Sequence, residues 1–506
     1  MSSSPQEKKL VDESVFEQAS EDGSTSKLAS LDPVELQILE RKAVRRLDVV
    51  ILPMISMFYL LSFLDRANIG NARVAGLQKN LGMTDHQYQI CITVLYVPYI
   101  LAELPANLLL RKIGPRYLMP SLLTAWGTMV ALQGLVSSFA GLATVRAFLG
   151  LVEGPMFPGW LFSSQRLRHV LFFDFHDGVD LIVLQLSGAF SGLLAAAIVK
   201  MDGLGGRPGW AYIFIEGAFS VLMGILGFFI IPSTPQEVKF MSLEMKELLA
   251  RRLARDNPTL RNNQDDFSFR EVARSLKSPH VLLLFAVFYG IGTVLYGQAL
   301  FLPSIVNQLG FSPNKTQLLS VGPFAGGFFV TLLGAIWSDR MESRAIPSMV
   351  ISLLGVIGFS IYLTTTGKFT RYGSLFFTVP GVYAAVPPLS AWMSNNSEPH
   401  YRRATSIALG FVGTNCGGIM STWLFPTKDA PNYRRTTIIN LSFSIMILVG
   451  SGINAVLLHF KNKEKIKKRD EILAPYHLEL DDDKGTNAAR AWVELGDRHP
   501  DFKYTL

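Results

Sequence analysis

Long apolar runs alternate with short polar breaks along this chain. The runs are roughly 18–25 residues each, the length that carries a helix across ~30 Å of hydrocarbon. They fall at 47–69, 87–110, 117–138, 141–162, 181–199 and 210–231, and again at 280–301, 317–337, 346–366, 374–393, 404–425 and 437–460. Backbone amides in lipid must be paired within their own segment, and these runs are too long and apolar for barrel strands, so each predicts a helix. A hydrophilic stretch, 232–279, parts the first six from the last six. The pattern predicts an all-α membrane protein: twelve transmembrane helices in two six-helix pseudo-repeats, 47–231 and 280–460, with polar tails at 1–46 and 461–506.

Charge sets the orientation. The first tail ends "RKAVRR", the central loop carries nine Lys/Arg from Lys239 to Lys277, and the last tail begins "KNKEKIKKR". Twelve spans put all three on one face, and the positive-inside rule makes that face cytoplasmic. The halves also echo each other. "LLLRKIGPR" follows the second run and "GAIWSDRMESR" the eighth, two short basic turns in equivalent places. Arg111, Gly114 and Arg116 in the first turn, and Asp339 and Arg340 in the second, are candidate gating residues. Repeated six-helix units are a transporter architecture. Gly/Pro-rich stretches such as "GPMFPG", "VGPFAGG" and "NCGGIM" fit close helix approach and local bending.

Composition narrows the class. The 506 residues are 49% hydrophobic and 17% charged, against about a quarter charged in soluble domains. The net charge of +7 sits in tails and loops and reads as topology; no basic cluster interleaved with aromatics points to nucleic acid. Cys91 and Cys416 each lie in an apolar run, which favours packing thiols over a disulfide or metal site. The first 46 residues hold no apolar segment resembling a signal peptide, so insertion is expected to start at the first run.

Against that oily background a few charges stand out. "LLSFLDRANIGNAR", residues 60–73, places Asp65 beside Arg66, and either charge at the centre of a bilayer helix costs ~2.5–3.5 kcal/mol. Arg146 and Glu153 interrupt the fourth run; seven residues apart, they share one helix face about 10 Å apart. Glu103 interrupts the second run and Glu216 the sixth, whereas the second half offers neutral polar groups: Tyr289, Tyr296, Gln298 and Asn415. An acid in low dielectric holds its proton more tightly and a nearby arginine loosens it, so an Asp/Arg/Arg/Glu group can exchange a proton against an anion. The competing reading is a static ion pair that pins helices together, or snorkelling near the interface. For Glu103 and Glu216, gating and helix contacts compete.

"FLDRANIGNAR", "YVPYILAELPANLLLRKIGPR", "FLPSIVNQLGFS" and "LGDRHPDFKYTL" together resemble the fungal allantoate permease family, in the anion:cation symporter branch of the major facilitator superfamily. The resemblance runs from about Leu31 onward. It implies the major facilitator fold and proton-coupled uptake of a small organic anion of the nicotinate, allantoate or vitamin type, at a fungal plasma membrane. It also implies proton coupling by Asp65 and Glu153 and substrate binding by Arg66, Arg146, Tyr99 and Asn415. The expected partners are a small anionic substrate, protons and the lipid bilayer; the protein is expected to act as a monomer, without cofactor or metal. One segment departs from the family: 163–187 reads "SSQRLRHVLFFDFHDGVDLIVLQLS". Its Asp174, His176, Asp177 and Asp180 lack a convincing ligand set, and an error in the gene model or a locally altered, inactive protein fits better. Alternative functions are an exporter of a secondary metabolite and a nutrient sensor that moves no solute. An enzyme is disfavoured by the absence of GxxxxGKS, HExxH and GxSxG motifs. Asn314 heads a glycosylation sequon in an expected outer loop and Asn395 another on the cytoplasmic face, so a glycan at Asn395 overturns the topology.

Overall fold

The computed structural model describes residues 32–155, 176–231, 238, 241–256, 269–341, 343–398, 400–426, 429–430, 432–477, 491–492 and 494–506. The architecture is all-helical, with no strand among these residues. The first half contains α1 (Pro33–Val74), α2 (Asp85–Ile113), α3 (Pro115–Gln133), α4 (Phe139–Glu153), α5 (His176–Ile198) and α6 (Gly209–Ile230). Two linker helices follow, α7 (Leu243–Asp256) and α8 (Phe269–Leu276). The second half contains α9 (Pro279–Gln308), α10 (Pro313–Arg340), α11 (Ala345–Thr364), α12 (Lys368–Asn395), α13 (His400–Thr422) and α14 (Arg434–Lys467), then the short α15 (Arg469–His477). Of these, α6, α9, α10, α11, α12 and α14 are long and apolar enough on their own to cross a membrane. Large apolar side chains such as Leu101, Phe229, Phe329 and Leu333 point outward, which lipid tolerates and water does not.

Local chemistry explains the breaks. At "KIGPR", Gly114 takes a positive φ of 81° and Pro115 opens α3, a pairing of the residue that tolerates that backbone with one pre-set for a helix start. Ser138 caps α4, its hydroxyl accepting the Gly141 N–H at 3.2 Å.

Helix α1 begins well before the expected span. Residues 33–46 form a helical extension of α1 that buries Ala43 and Val44 against Val238, Met241, Met245 and Leu249 of the linker. The expected fifth-span departure lies partly outside the described residues: 163–175 are not described, and α5 begins at His176.

The packing repeats between halves. In the first, α1 pairs with α5, α2 with α4 and α3 with α6; in the second, α9 pairs with α13, α10 with α12 and α11 with α14. Contacts across the divide are two-fold related as well: α1 meets α9, while α2 with α13 mirrors α10 with α5. Glycine permits the closest approaches. A Cβ on Gly150 would lie 2.0 Å from the Leu95 carbonyl oxygen, and one on Gly417 2.2 Å from that of Tyr289, so bare backbone lies on bare backbone.

Among the described residues, several contacts between the halves lie from mid-α1 toward the end opposite the chain termini. A Cβ at Gly70 would strike the Leu300 carbonyl at 2.3 Å. The Thr93 and Thr422 hydroxyls sit 2.9 Å apart, and Gln317 Nε2 donates to the Asn71 carbonyl at 3.4 Å. His86 packs against Trp423, and Arg73, paired with Asp85, lies over Phe301.

Candidate functional site

The centre of the seam holds a buried ion pair. Arg66 of α1 directs Nε and Nη2 to one oxygen, Glu153 Oε1, the Nε at 3.1 Å. The Ser62 hydroxyl donates to that same oxygen at 3.2 Å. The remaining arm of Arg66, Nη1, crosses to the second half and donates to the Tyr296 hydroxyl at 2.8 Å, which donates on to Asn415 Oδ1 at 3.3 Å. Aromatic rings surround the guanidinium: Phe63, Tyr99 and Tyr296 have centroids 5.4, 5.1 and 5.6 Å from its central carbon. Arg66 is 6% exposed and Glu153 2%. Removing one partner of such a pair while leaving the other charged costs roughly 3–5 kcal/mol.

The helices deliver these groups for identifiable reasons. Glu153 closes α4 between Gly150 and Gly154, and a Cβ at Gly154 would meet the Tyr99 carbonyl at 2.4 Å. The small-residue face thus seats α4 on α2 and brings Glu153 level with Tyr99. Tyr296 edges onto Tyr96 with centroids 5.4 Å apart, so rings from both halves close one side of the site.

The other two charges of the expected group go elsewhere. Asp65 turns into the first half, where the Ser220 hydroxyl donates to Oδ2 at 3.1 Å; Oδ1 has no hydrogen-bond partner among the described residues. One turn along both helices, Asn68 donates to Glu216 Oε2 at 2.9 Å. The Ser191 hydroxyl donates to Asn68 Oδ1 at 3.3 Å and accepts from Asn71 Nδ2 at 2.5 Å, carrying a polar ladder to the seam at Gln317. Arg146, 1% exposed, donates to the Cys91 carbonyl at 2.8 Å and to Gln133 Oε1 at 3.1 Å. Shared helix face notwithstanding, Glu153 bonds Arg66, about two turns further along α4 than Arg146.

Comparison with known proteins follows the same outline. The family model described as Major Facilitator Superfamily matches residues 55–422. The chain belongs to the Major Facilitator Superfamily. It is a multi-pass membrane transporter for small molecules and not an enzyme. A Schizosaccharomyces pombe protein described as an uncharacterised transporter is 30% identical over 96% of this chain and 93% of its own length. The high-affinity nicotinic acid transporter of Saccharomyces cerevisiae is 28% identical, over 92% of this chain and 85% of its own. Among solved structures, a bacterial homologue of the human lysosomal transporter Spinster, inward-facing and unoccupied, superposes with a TM-score of 0.61 at 13% identity. That match covers 81% of this chain and 96% of the bacterial one.

The superfamily member's remaining candidate residues are scattered. Gly114 makes the α2–α3 turn, and Arg116 lies over the Tyr117 ring. Asp339 accepts from Arg344 at 2.5 Å, and Arg340 is exposed beside it. The side chains of Glu103, Arg111, His176, Asp177 and Asp180, and all of Asp174, lie outside the described residues. Among the described residues no acidic, His or Cys group is arranged to hold a metal. Ser62, Phe63, Ser220 and the Asn68–Ser191–Asn71 ladder were not singled out from the sequence. A signal existed: Asp65, Asn68 and Asn71 recur at three-residue spacing, polar positions closing the apolar run of the first span.

Proposed function

We propose that the protein takes up a small organic anion together with protons by alternating access. The observation that carries this reading is the Arg66–Glu153 pair, buried where α1 and α4 face Tyr296 and Asn415 of the second half. A guanidinium held by one carboxylate is a ready receptor for another. Protonation of Glu153 surrenders the arginine to the incoming carboxylate, and Tyr99, Tyr296 and Asn415 line the place it takes. Rings on several sides of the cation favour a flat aromatic acid, and nicotinate, the substrate named for the yeast relative, is the first candidate. Arg146 braces α2, α3 and α4 and adds positive potential. Asp65 is the second proton carrier, and the turns bearing Arg111, Gly114, Arg116, Asp339 and Arg340, with Glu103, act as gates.

Electrostatics favours coupling. An inside-negative potential opposes a monovalent anion by ~2.3 kcal/mol per 100 mV. One proton cancels that charge, and a second lets the potential drive uptake. In this reading the chain makes twelve spans in a fungal plasma membrane, works as a monomer and keeps both tails in the cytoplasm. The sealed end of the seam then faces outward.

The test is uptake of radiolabelled nicotinate and a panel of small organic acids into a transport-deficient yeast, at two external pH values. Accumulation of one of these acids, greater at the lower pH, is expected. A flat pH response for an accumulated acid rejects proton coupling.

A further inference from the structure

Residues 494–506, which contain "LGDRHPDFKYTL", lie across the termini-side end of the second half and are held there as a bound peptide. Two asparagine amides read successive residues of the backbone. Asn462 of α14 accepts the Tyr504 N–H at 2.9 Å and donates to the Tyr504 carbonyl at 2.9 Å. Asn396, just past α12, accepts the Thr505 N–H at 2.8 Å and donates to the Thr505 carbonyl at 3.1 Å. Trp392 Nε1 adds a second donor to that carbonyl at 2.8 Å, and the Arg344 N–H donates to the Leu506 carbonyl at 2.6 Å. Alternate residues of an extended strand present their backbones to opposite sides, which suits a groove gripping Tyr504 from α14 and Thr505 from α12.

Upstream contacts supply charge and side-chain selectivity. Lys465 Nζ donates to the Phe502 carbonyl at 2.8 Å and to that of Asp497, and sits 3.6 Å from the Tyr504 ring centroid. Arg402 of α13 pairs with buried Asp497, whose N–H donates to the Glu398 carbonyl at 3.2 Å. Arg402 also connects the linker: the Ser275 hydroxyl of α8 bonds its carbonyl and Ser406. Backbone recognition by amides together with pockets for particular side chains is the logic of a peptide-binding site. These anchors come from the α10–α11 turn, α12, α13 and α14, all in the second half.

We propose that this face of the second half is a peptide-binding groove and that residues 497–506 are its releasable intramolecular ligand. Docked, the segment bridges the α10–α11 turn and the ends of α12, α13 and α14, so that this end of the half moves as one body. Released, it frees both the groove and the helix ends. The site differs from the substrate site in place and chemistry, and its test does not require transport.

The full chain, with a protease site inserted between residues 478 and 490, is purified in detergent, cleaved, and offered a fluorescent peptide of the sequence DRHPDFKYTL. The cleaved tail is expected to co-purify and then to exchange with the labelled peptide, while a scrambled peptide stays free. Asn396→Ala and Asn462→Ala should each weaken peptide binding on the order of tenfold, since each removes a pair of hydrogen bonds. A tail that washes off without the peptide ever binding overturns the groove. A tail that stays but never exchanges overturns release. Should cleavage cause aggregation, a chain ending at residue 490 serves as the second variant: if monodisperse, it must bind the peptide, and failure to bind overturns the proposal.

Discussion

At the scale of single residues, what matters is which charge each side chain answers. Glu153 answers Arg66 through a single oxygen. Glu153→Gln keeps an acceptor there and removes the proton carrier of the proposed mechanism, so exchange of labelled for unlabelled substrate should persist while accumulation driven by a pH gradient disappears. Counterflow and gradient-driven uptake in the same vesicles separate the two. Arg66→Lys should raise the apparent KM on the order of tenfold or more, because an ammonium cannot reach Glu153 and Tyr296 together or keep a planar face against Tyr99. In the tail, His499 Nδ1 accepts the Asp501 N–H at 3.2 Å, which needs a deprotonated nitrogen. Burial holds this imidazole below its ordinary 6.5; the Asp501 carboxylate opposes that shift, while Arg469 and Lys465 reinforce it. The docked state therefore binds fewer protons than the released state just below pH 6.5. The contribution of His499 to docking is unchanged above that value and weakens as pH falls through the window between the released and docked values. Distances between spin labels at exposed Lys463 and Lys503 should lengthen in part of the population at pH 5.5 and not at 7.5. His499→Gln should reduce the difference.

At the scale of elements, glycine sets how closely helices approach. Gly154→Leu pushes side-chain atoms into the Tyr99 carbonyl, already 2.4 Å from a bare Cβ. Overpacking of this kind costs about 1–3 kcal/mol, so thermal unfolding in detergent should shift downward and Glu153 should lose its level. Gly373→Ala is the control: nothing lies within 4 Å of its Cβ position on α12, and helix propensity alone predicts a gain of roughly 0.5–1 kcal/mol. This is also where the sequence was most readable. Apolar runs located the helices because length and backbone satisfaction in lipid leave few alternatives, and "KIGPR" announced its turn through residue types with narrow backbone preferences. The site was only half legible. Asp65 and Arg66 are neighbours in sequence, yet consecutive residues on a helix point about 100° apart, sending one into the bundle and the other to the seam. The partner that divides Arg66 between the halves, Tyr296, lies 230 positions away, beyond any local pattern. The tail shows no apolar period at all, since its order comes from Asn396 and Asn462 reading its backbone.

At the scale of the whole molecule, the proposed alternating-access cycle has the two halves, whose helix pairs repeat, rocking about a central site. The seam at the end opposite the termini must then open once per cycle. Its contacts are individually modest: the Thr93–Thr422 hydrogen bond is worth about 1 kcal/mol, a bias of about fivefold between states. Thr422→Val should therefore enrich the form open at that end without harming the fold, read, with Cys91 and Cys416 replaced by alanine, as greater labelling of a cysteine placed at the buried seam residue Gln317. A covalent bond at the same point is decisive. With Cys91→Ala and Cys416→Ala as background, Thr93→Cys and Thr422→Cys place two sulfurs where oxygens now lie 2.9 Å apart, close enough to form an S–S bond of about 2.04 Å with a small shift. Oxidation should stop both net uptake and exchange, and reductant should restore them. Either single cysteine should be indifferent to oxidant. Undiminished transport in the cross-linked protein would mean that the halves do not part there, and substrate would need a route around the seam that holds Arg66 and Tyr296 together.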